Sequence, residues 1–275
     1  MFKHSIRDLF LVILSMLHVA CWVLPVLYFE QLSIMNLCMF ALANIMLMCT
    51  NYQCIAHNFI HNTFFKSDYL NGWFSVLNTL GLIMPQSFYK SHHINHHVHN
   101  NDKWQNGEPP KDKSSLYYYG KNGKEEGMLR YTLLSYFRLS IAFLYKDSSQ
   151  RNGSLVLIEI VVLALFITGL TIINPWAVLV FVLPVHYIGT SMASLENYAE
   201  HHGCSPDNKL SNSVSCYTSV YNLLWFNNGY HQEHHYEPEI HWTKLPQARE
   251  RMLAETERKV VKGCHLAGLF SKDNS

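Results

Sequence analysis

Four long apolar segments decide most of what this chain can fold into. Leu9–Phe29, Ile34–Ile55, Leu155–Ile173 and Trp176–Leu195 contain no Lys or Arg. A helix that crosses a bilayer needs about 20 mostly apolar residues, roughly 17–25. Inside lipid, every backbone N–H and C=O must find a partner within the protein, so segments of this length are expected to be helices. The rest of the composition agrees. Of 275 residues, 49% are hydrophobic and only 15% charged, well below the quarter usual for a soluble domain.

Very short turns, Glu30–Ser33 and Asn174–Pro175, join the segments in pairs, so each pair reads as a helical hairpin. Neither turn carries Lys or Arg, which leaves all 21 basic residues on the opposite side of the membrane. The excess of positive charge marks that side as cytoplasmic. A net charge of +1 gives no field that would favour nucleic acid or an acidic partner. Val-Ala-Cys at 19–21 is like a lipoprotein cleavage site. However, the apolar run continues through Trp22–Phe29, past the 7–15 residues of a signal-peptide core, so the first segment is expected to remain a span. Seven scattered cysteines with no CxxC pair do not form a disulfide framework, and their thiols are expected to face a reducing compartment. No linker, repeat or low-complexity tract divides residues 1–275, which are expected to form one domain.

Between these segments, Trp73–Tyr89 is apolar but short and contains Pro85, which predicts an interfacial or re-entrant stretch. The polar loop 100–127 follows. Met128–Tyr145 is apolar but interrupted by Arg130 and Arg138, as in an interfacial helix. The charged tail from Lys244 is expected to be helical.

Twelve of the 17 histidines fall in four short blocks: HNFIH at 57–61, HHINHHVH at 92–99, EHH at 200–202 and HQEHH at 231–235. Imidazole is the commonest protein metal ligand, and so many rings in so few blocks point to a centre with more than one ion. His57 and His61 are one helical turn apart, as i and i+4. His93, His96 and His97 share the HxxHH spacing of His231, His234 and His235, which converges on one side of a helix. A single site requires an even number of crossings between blocks. His61 to His92 and His202 to His231 leave room for none, and His99 to His201 contains the second hairpin. Every block therefore falls on the cytoplasmic face.

The ordered set HxxxH, HxxHH, HxxHH at the ends of membrane helices resembles the membrane fatty acid desaturase superfamily over nearly the whole chain. FNNGYHQEHHYEP looks most like its bacterial members. The resemblance implies an all-α integral membrane protein. Four transmembrane helices in two hairpins would carry a cytoplasmic helical cap with a di-metal histidine site, in a bacterial inner membrane. It implies boxes at 57–61, 92–97, 197–202 and 231–235, the third being an NxxxH pattern matched by Asn197 and His201. Nine imidazoles would bind two Fe2+ ions: His57, His61, His93, His96, His97, His201, His231, His234 and His235. Asn197 would act through a metal-bound water. His92, His99 and His202 are additional to the pattern. His92 and His96 also have HxxxH spacing, so His92 and His93 can exchange roles, and His201 and His202 are adjacent.

Metal-bound imidazoles usually donate their other N–H to a carboxylate or carbonyl. Glu200, Glu233 and Glu237 are candidates, with Glu196 and Asp207 nearby. Asn58, Asn62, Asn95, Asn227 and Asn228 are possible alternatives. His186, in mid-span, is open to two readings, a helix-packing hydrogen bond or a substrate channel. Glu159 near its span's end is expected to snorkel to the interface.

The resemblance implies an O2-dependent desaturase that inserts a double bond into a fatty acyl or lipid-like chain. A hydroxylase acting on an alkyl, acyl or carotenoid substrate is the alternative. A metal transporter fits less well, because its ligands would sit near the bilayer midplane. The substrate is expected to be a lipid or acyl thioester. Lys90, Lys103, Lys111, Arg130 and Arg138 are available either to an anionic head group or simply as positive-inside residues. The chain has no haem motif, no iron–sulfur cysteine set and no GxGxxG. An external electron donor, a ferredoxin or cytochrome-type protein, is therefore expected.

Overall fold

The structure, a computed structural model, describes residues 1–271. They form two compact units. The first comprises Met1–Ser91 and Ser140–Ala193; the second comprises His92–Leu139 and the chain from Ser194 onward.

The first unit is built of long helices. It contains α1 (Asp8–Leu27) and α2 (Ile34–Thr50), which continues through a π-helical turn, Asn51–Ala56, into α3 (His57–His61). It also holds α4 (Asp68–Leu82) and the start of α5 (Gln86–His99). The second stretch of this unit supplies α7 (Ile141–Ile173), then α8 (Pro175–Ala177), which passes through another π-helical turn, Val178–Val182, into α9 (Leu183–His201). Among the described residues, four stretches are long and apolar enough to cross a membrane: Asp8–Leu27, Ile34–His61, Ile141–Ile173 and Pro175–His201. Each starts within a few residues of its expected position except the third. There, Asn152 has non-helical dihedrals (φ −159°, ψ 81°) and its side chain accepts from Leu155 N–H, so a new helix start coincides with the expected span. The predicted interfacial helix over Met128–Tyr145 is corrected. It is broken into α6 (Met128–Leu134), a 3-10 turn at Ser135–Arg138 and the first residues of α7.

α1 shows how the first unit is assembled. Leu11, Ser15, His18, Trp22 and Val26 recur every three or four residues and are buried, while Phe10, Ile13, Met16, Leu17 and Leu24 are exposed. The exposed face is the more apolar one, the reverse of a water-soluble helix. The buried polar stripe finds its partners within the unit. Ser15 Oγ donates to Asn78 Oδ1 (2.8 Å), and Asn51 and Asn78 exchange amide hydrogen bonds (2.9 and 3.0 Å). Asn51 Nδ2 also lies 3.1 Å from His18 Nδ1, and Asn78 donates to Gln86 Oε1 (2.8 Å). Trp22 Nε1 donates to the Gly81 carbonyl (2.8 Å). A Cβ at Gly81 would lie 3.2 Å from His18 Nδ1, so glycine is what lets α4 approach α1. His186 Nε2 lies 3.0 Å from the Leu82 carbonyl, in keeping with the helix-packing reading.

Trp73–Tyr89 is resolved into the end of α4, a turn and the start of α5. Ile83 takes a left-handed conformation (φ 50°) and Pro85 stands just before α5. Glu159 does not snorkel, which corrects that expectation. It is fully buried, accepts from Ser75 Oγ (2.6 Å) and caps the start of α5 by accepting from Ser87 N–H (3.0 Å). A carboxylate there complements the partial positive charge of the helix start.

The second unit contains the rest of α5, α6, the end of α9, α10 (Ser219–Leu224), α11 (His231–Tyr236) and α12 (His265–Gly268). The all-α expectation needs one amendment, a two-stranded parallel pair. β1 (Ser215–Cys216) pairs with β2 (Val260–Val261). The tail is also not one helix. Trp242–Arg251 is a 3-10 stretch containing Pro246, and turns follow before the short strand Val260–Val261. Proline removes a helical hydrogen bond and disfavours a continuous α-helix there. The polar loop 100–127 is organised around buried acceptors. Asn101 Oδ1 accepts from Leu116 N–H (2.8 Å), and Glu126 takes a bidentate pair from Arg138 (2.6 and 3.0 Å) and a contact from Arg130 (3.2 Å).

Glu159→Leu should strand the Ser75 hydroxyl and the Ser87 N–H, costing on the order of 1–3 kcal/mol for each buried group left unpaired. Thermal unfolding in detergent should therefore shift down, and Glu159→Gln, which keeps an acceptor, should recover most of the loss. A Leu variant as stable as the parent would show that the cap contributes nothing.

Candidate metal centre

The histidine blocks sit on short helices or helix ends, where i, i+3 and i+4 rings share a face. In the first unit, His57 and His61 on α3 bring one nitrogen each within 4.8 Å of one another, with ring centroids 5.5 Å apart. In the second unit two sets form. One nitrogen from each of His93, His97 and His234 lies within 4.8 Å of the others, and His97 Nε2 is 3.1 Å from His234 Nε2. One nitrogen from each of His96, His201 and His235 is grouped in the same way. His201 Nε2 stands 3.0 Å from His96 Nε2 and 3.2 Å from His231 Nε2.

The hydrogen-bond partners determine what these short separations mean. His96 Nδ1 is 2.8 Å from Asp112 Oδ2, and His201 Nδ1 is 3.3 Å from the Asn212 carbonyl. A carboxylate and a carbonyl only accept, so each neutral ring carries its proton on Nδ1. When both rings are neutral, the two Nε2 atoms present lone pairs to each other at 3.0 Å, a contact that a proton or a metal ion between them would relieve. Two imidazoles bound side by side at about 2.1 Å from one ion would be roughly 3 Å apart. His235 adds a buried Nε2 with no hydrogen-bond partner. Burial, then the neighbouring His97, His231, His201 and His96 rings, lower its pKa well below the ordinary imidazole value, so it is neutral and able to ligate at neutral pH. These residues fit a metal of the imidazole-binding class.

Asp112 is the residue that sequence reasoning missed. It is fully buried and accepts from Asn101 N–H (2.7 Å), Ser114 N–H (2.8 Å) and Ser114 Oγ (2.7 Å) as well as facing His96. Burial alone would raise its pKa, but His96 and these hydrogen bonds outweigh it and hold the carboxyl below its usual range. It lies 16 residues beyond His96, in a loop whose composition reads only as polar, so no spacing signals it.

Other expected residues fall in less central places. His92 is half-buried and belongs to neither set; burial lowers its pKa to about 4. His99 is likewise in neither set. His202 pairs with Glu125 instead. Asn197 Nδ2 donates to Tyr131 Oη (2.8 Å), which itself donates to the Ser114 carbonyl (2.8 Å). Glu200 Oε1 accepts from Asn228 Nδ2 (2.7 Å), and its Oε2 stands 3.7 Å from His231 Nε2. Glu233 is buried against Arg258, whereas Glu237 pairs with Arg251 nearer the surface. Asp207 is exposed. Of the basic residues, Arg130 and Arg138 both engage Glu126, and Lys103 lies over the Tyr117 ring.

A helical chain with apolar stretches long enough to cross a membrane and with clustered imidazoles is compatible with a membrane protein that binds metal. Family comparison gives it a narrower place. The fatty acid desaturase family model matches residues 32–263, and the chain belongs to that family. It is also 26% identical over 210 residues to a sphingolipid delta(4)-desaturase/C4-monooxygenase of Rattus norvegicus. That alignment covers 73% of this chain and 62% of the relative's length. No solved structure matches the chain significantly.

The geometry distinguishes the adjacent pair at the end of α9, His201 and His202. His201→Ala should lower the metal content of the purified protein, and His202→Ala should leave it unchanged. The reverse result by elemental analysis would exchange their roles.

Proposed function

We propose that this protein is a membrane-bound, di-iron, O2-dependent desaturase acting on a fatty acyl or lipid-like chain. The observation that carries the reading is the opposed Nε2 lone pairs of His96 and His201, each oriented by an acceptor behind the ring. His96, His201, His231 and His235 would hold one iron. His93, His97 and His234, with His57 and His61, would hold the other. When bound, the irons supply reductive activation of O2, strong enough to remove hydrogen from unactivated C–H bonds.

The chain's own residues do the rest. Asp112 and the Asn212 carbonyl keep His96 and His201 in the tautomer that offers Nε2 inward. Asn197, held by Tyr131, and Glu200, held by Asn228, place polar groups beside the ligands. His92 and His202 flank the site without ligating. The two units act as one domain, residues 1–275. On this reading it has two membrane hairpins and a helical cap on the cytoplasmic side, in a bacterial inner membrane. An acyl chain, as a lipid or acyl thioester, enters from the membrane side.

Insertion of a double bond consumes O2, two electrons and two protons and releases two waters, so a ferredoxin or cytochrome-type donor is required. Hydroxylation uses the same electrons and leaves one oxygen in the product. The relative's name couples a desaturase with a C4-monooxygenase, which keeps hydroxylation as the second reading.

Mass spectrometry of lipids and acyl thioesters from cells with and without the protein should reveal a new double bond, seen as a loss of two hydrogens. A gain of one oxygen would favour the second reading, and no change with a functional donor present would count against both. The purified, fully loaded protein should contain two irons per chain; fewer in an active sample would exclude a di-iron centre. Asp112→Asn should weaken metal affinity by about 10–100-fold, the usual effect of losing a partner behind a ligand. Unchanged affinity in a metal-buffered titration would reject its orienting role.

A further inference from the structure

We infer that the C-terminal segment 253–268 is a clasp that positions the ligand-bearing α11 and the end of α9, with Arg258 as its main positioning residue. The inference rests on the metal reading above.

The need for a clasp follows from the length of α11. It is a helix of six residues with no side-chain cap at its start, and helices shorter than about 12–15 residues are marginal on their own. Something outside it must fix the directions of His231, His234 and His235. Glu233, within the same turn, is fully buried. Its Oε2 accepts from Ser215 Oγ (2.9 Å) and its Oε1 from Tyr217 Oη. Those same two hydroxyls accept from Arg258, Ser215 Oγ from Nη1 (3.0 Å) and Tyr217 Oη from Nη2. A guanidinium fork is thus joined to both oxygens of one carboxylate through two hydroxyl bridges, a closed ring that a lysine cannot reproduce. Arg258 is itself held by the Leu253 carbonyl (2.8 Å) and is buried.

The rest of the segment is tied down beside it. Val260 and Val261 pair with Ser215 and Cys216, Lys259 Nζ donates to the His202 carbonyl (2.8 Å), and Gly263 N–H donates to Thr218 Oγ1 (2.9 Å). A Cβ at Gly268 would lie 2.5 Å from Val261 Cγ1, so the segment closes on itself only with glycine there. Near its end His265 is buried, its Nδ1 3.0 Å from Tyr221 Oη and 3.4 Å from Glu200 Oε1. Glu200 is the carboxylate beside His231 and His201. One segment therefore reaches the buried acid next to the ligands on α11 and the buried acid next to the ligand on α9. The family match stops at residue 263, so His265 and α12 lie outside it.

The test is a Co2+ titration of the purified chain in lipid nanodiscs, read by visible absorption, with thermal unfolding followed in parallel. Arg258→Lys keeps the charge and loses the fork, and should bind Co2+ about tenfold more weakly, with a shifted absorption band. Because a lone buried charge can unfold a protein, the deciding variant is Glu233→Gln with Arg258→Met, which removes both charges. It should unfold near the parent temperature yet keep the weaker binding and the shifted band. A double variant that binds Co2+ with the parent's affinity and spectrum would overturn the clasp, because stability alone would then account for the contacts. Failure of the parent chain to take up Co2+ would instead overturn the metal reading, and the clasp with it.

Discussion

The structure of the candidate centre depends on where two protons sit. His96 and His201 each direct Nδ1 at a group that can only accept, so their Nε2 lone pairs meet at 3.0 Å. With both rings neutral this contact calls for a proton or a metal ion between the nitrogens, and burial removes the water that would otherwise relieve it. The surroundings are arranged to impose it all the same. Asp112 is fixed by Asn101 and Ser114, which suits a carboxylate that must hold one ring nitrogen and leave the other bare.

The first unit has the complementary problem of placing polar side chains among apolar helices. Its solution is pairing. Asn51 and Asn78 satisfy each other, Ser15, His18 and Gln86 attach to them, and Glu159 is spent on the start of α5. α5 begins at Gln86, where these residues anchor its first turn, and carries the His92–His99 block. The exposed faces of α1 and α2 remain apolar, as a lipid environment requires.

Much of this is legible in the sequence. The four apolar runs located the long helices because length and the absence of charge are direct requirements of a bilayer. The i, i+3, i+4 spacing placed each block on a helix because helical periodicity is local, but the sets cut across the blocks: His93 and His97 group with His234, and His96 with His201 and His235. The readings that failed depended on contacts distant in sequence. Glu159 was expected at the interface, because nothing nearby signals Ser75, 84 residues away, or the N–H of Ser87. The tail was read as helix from its charge, but its partner for strand pairing is Ser215–Cys216.

The sequence by itself determined the long helices, the family and the set of histidines from which ligands can be drawn, since these depend on composition and short-range period. Tertiary structure alone decided between neighbours. It turned His93 rather than His92 toward His97 and His234, and gave His202 to Glu125 while directing His201 at His96. It also brought in Asp112, Arg258 and His265, which no motif marks. The physical reason is that a ring's role is set by which of its nitrogens finds an acceptor, and that acceptor arrives from elsewhere in the chain.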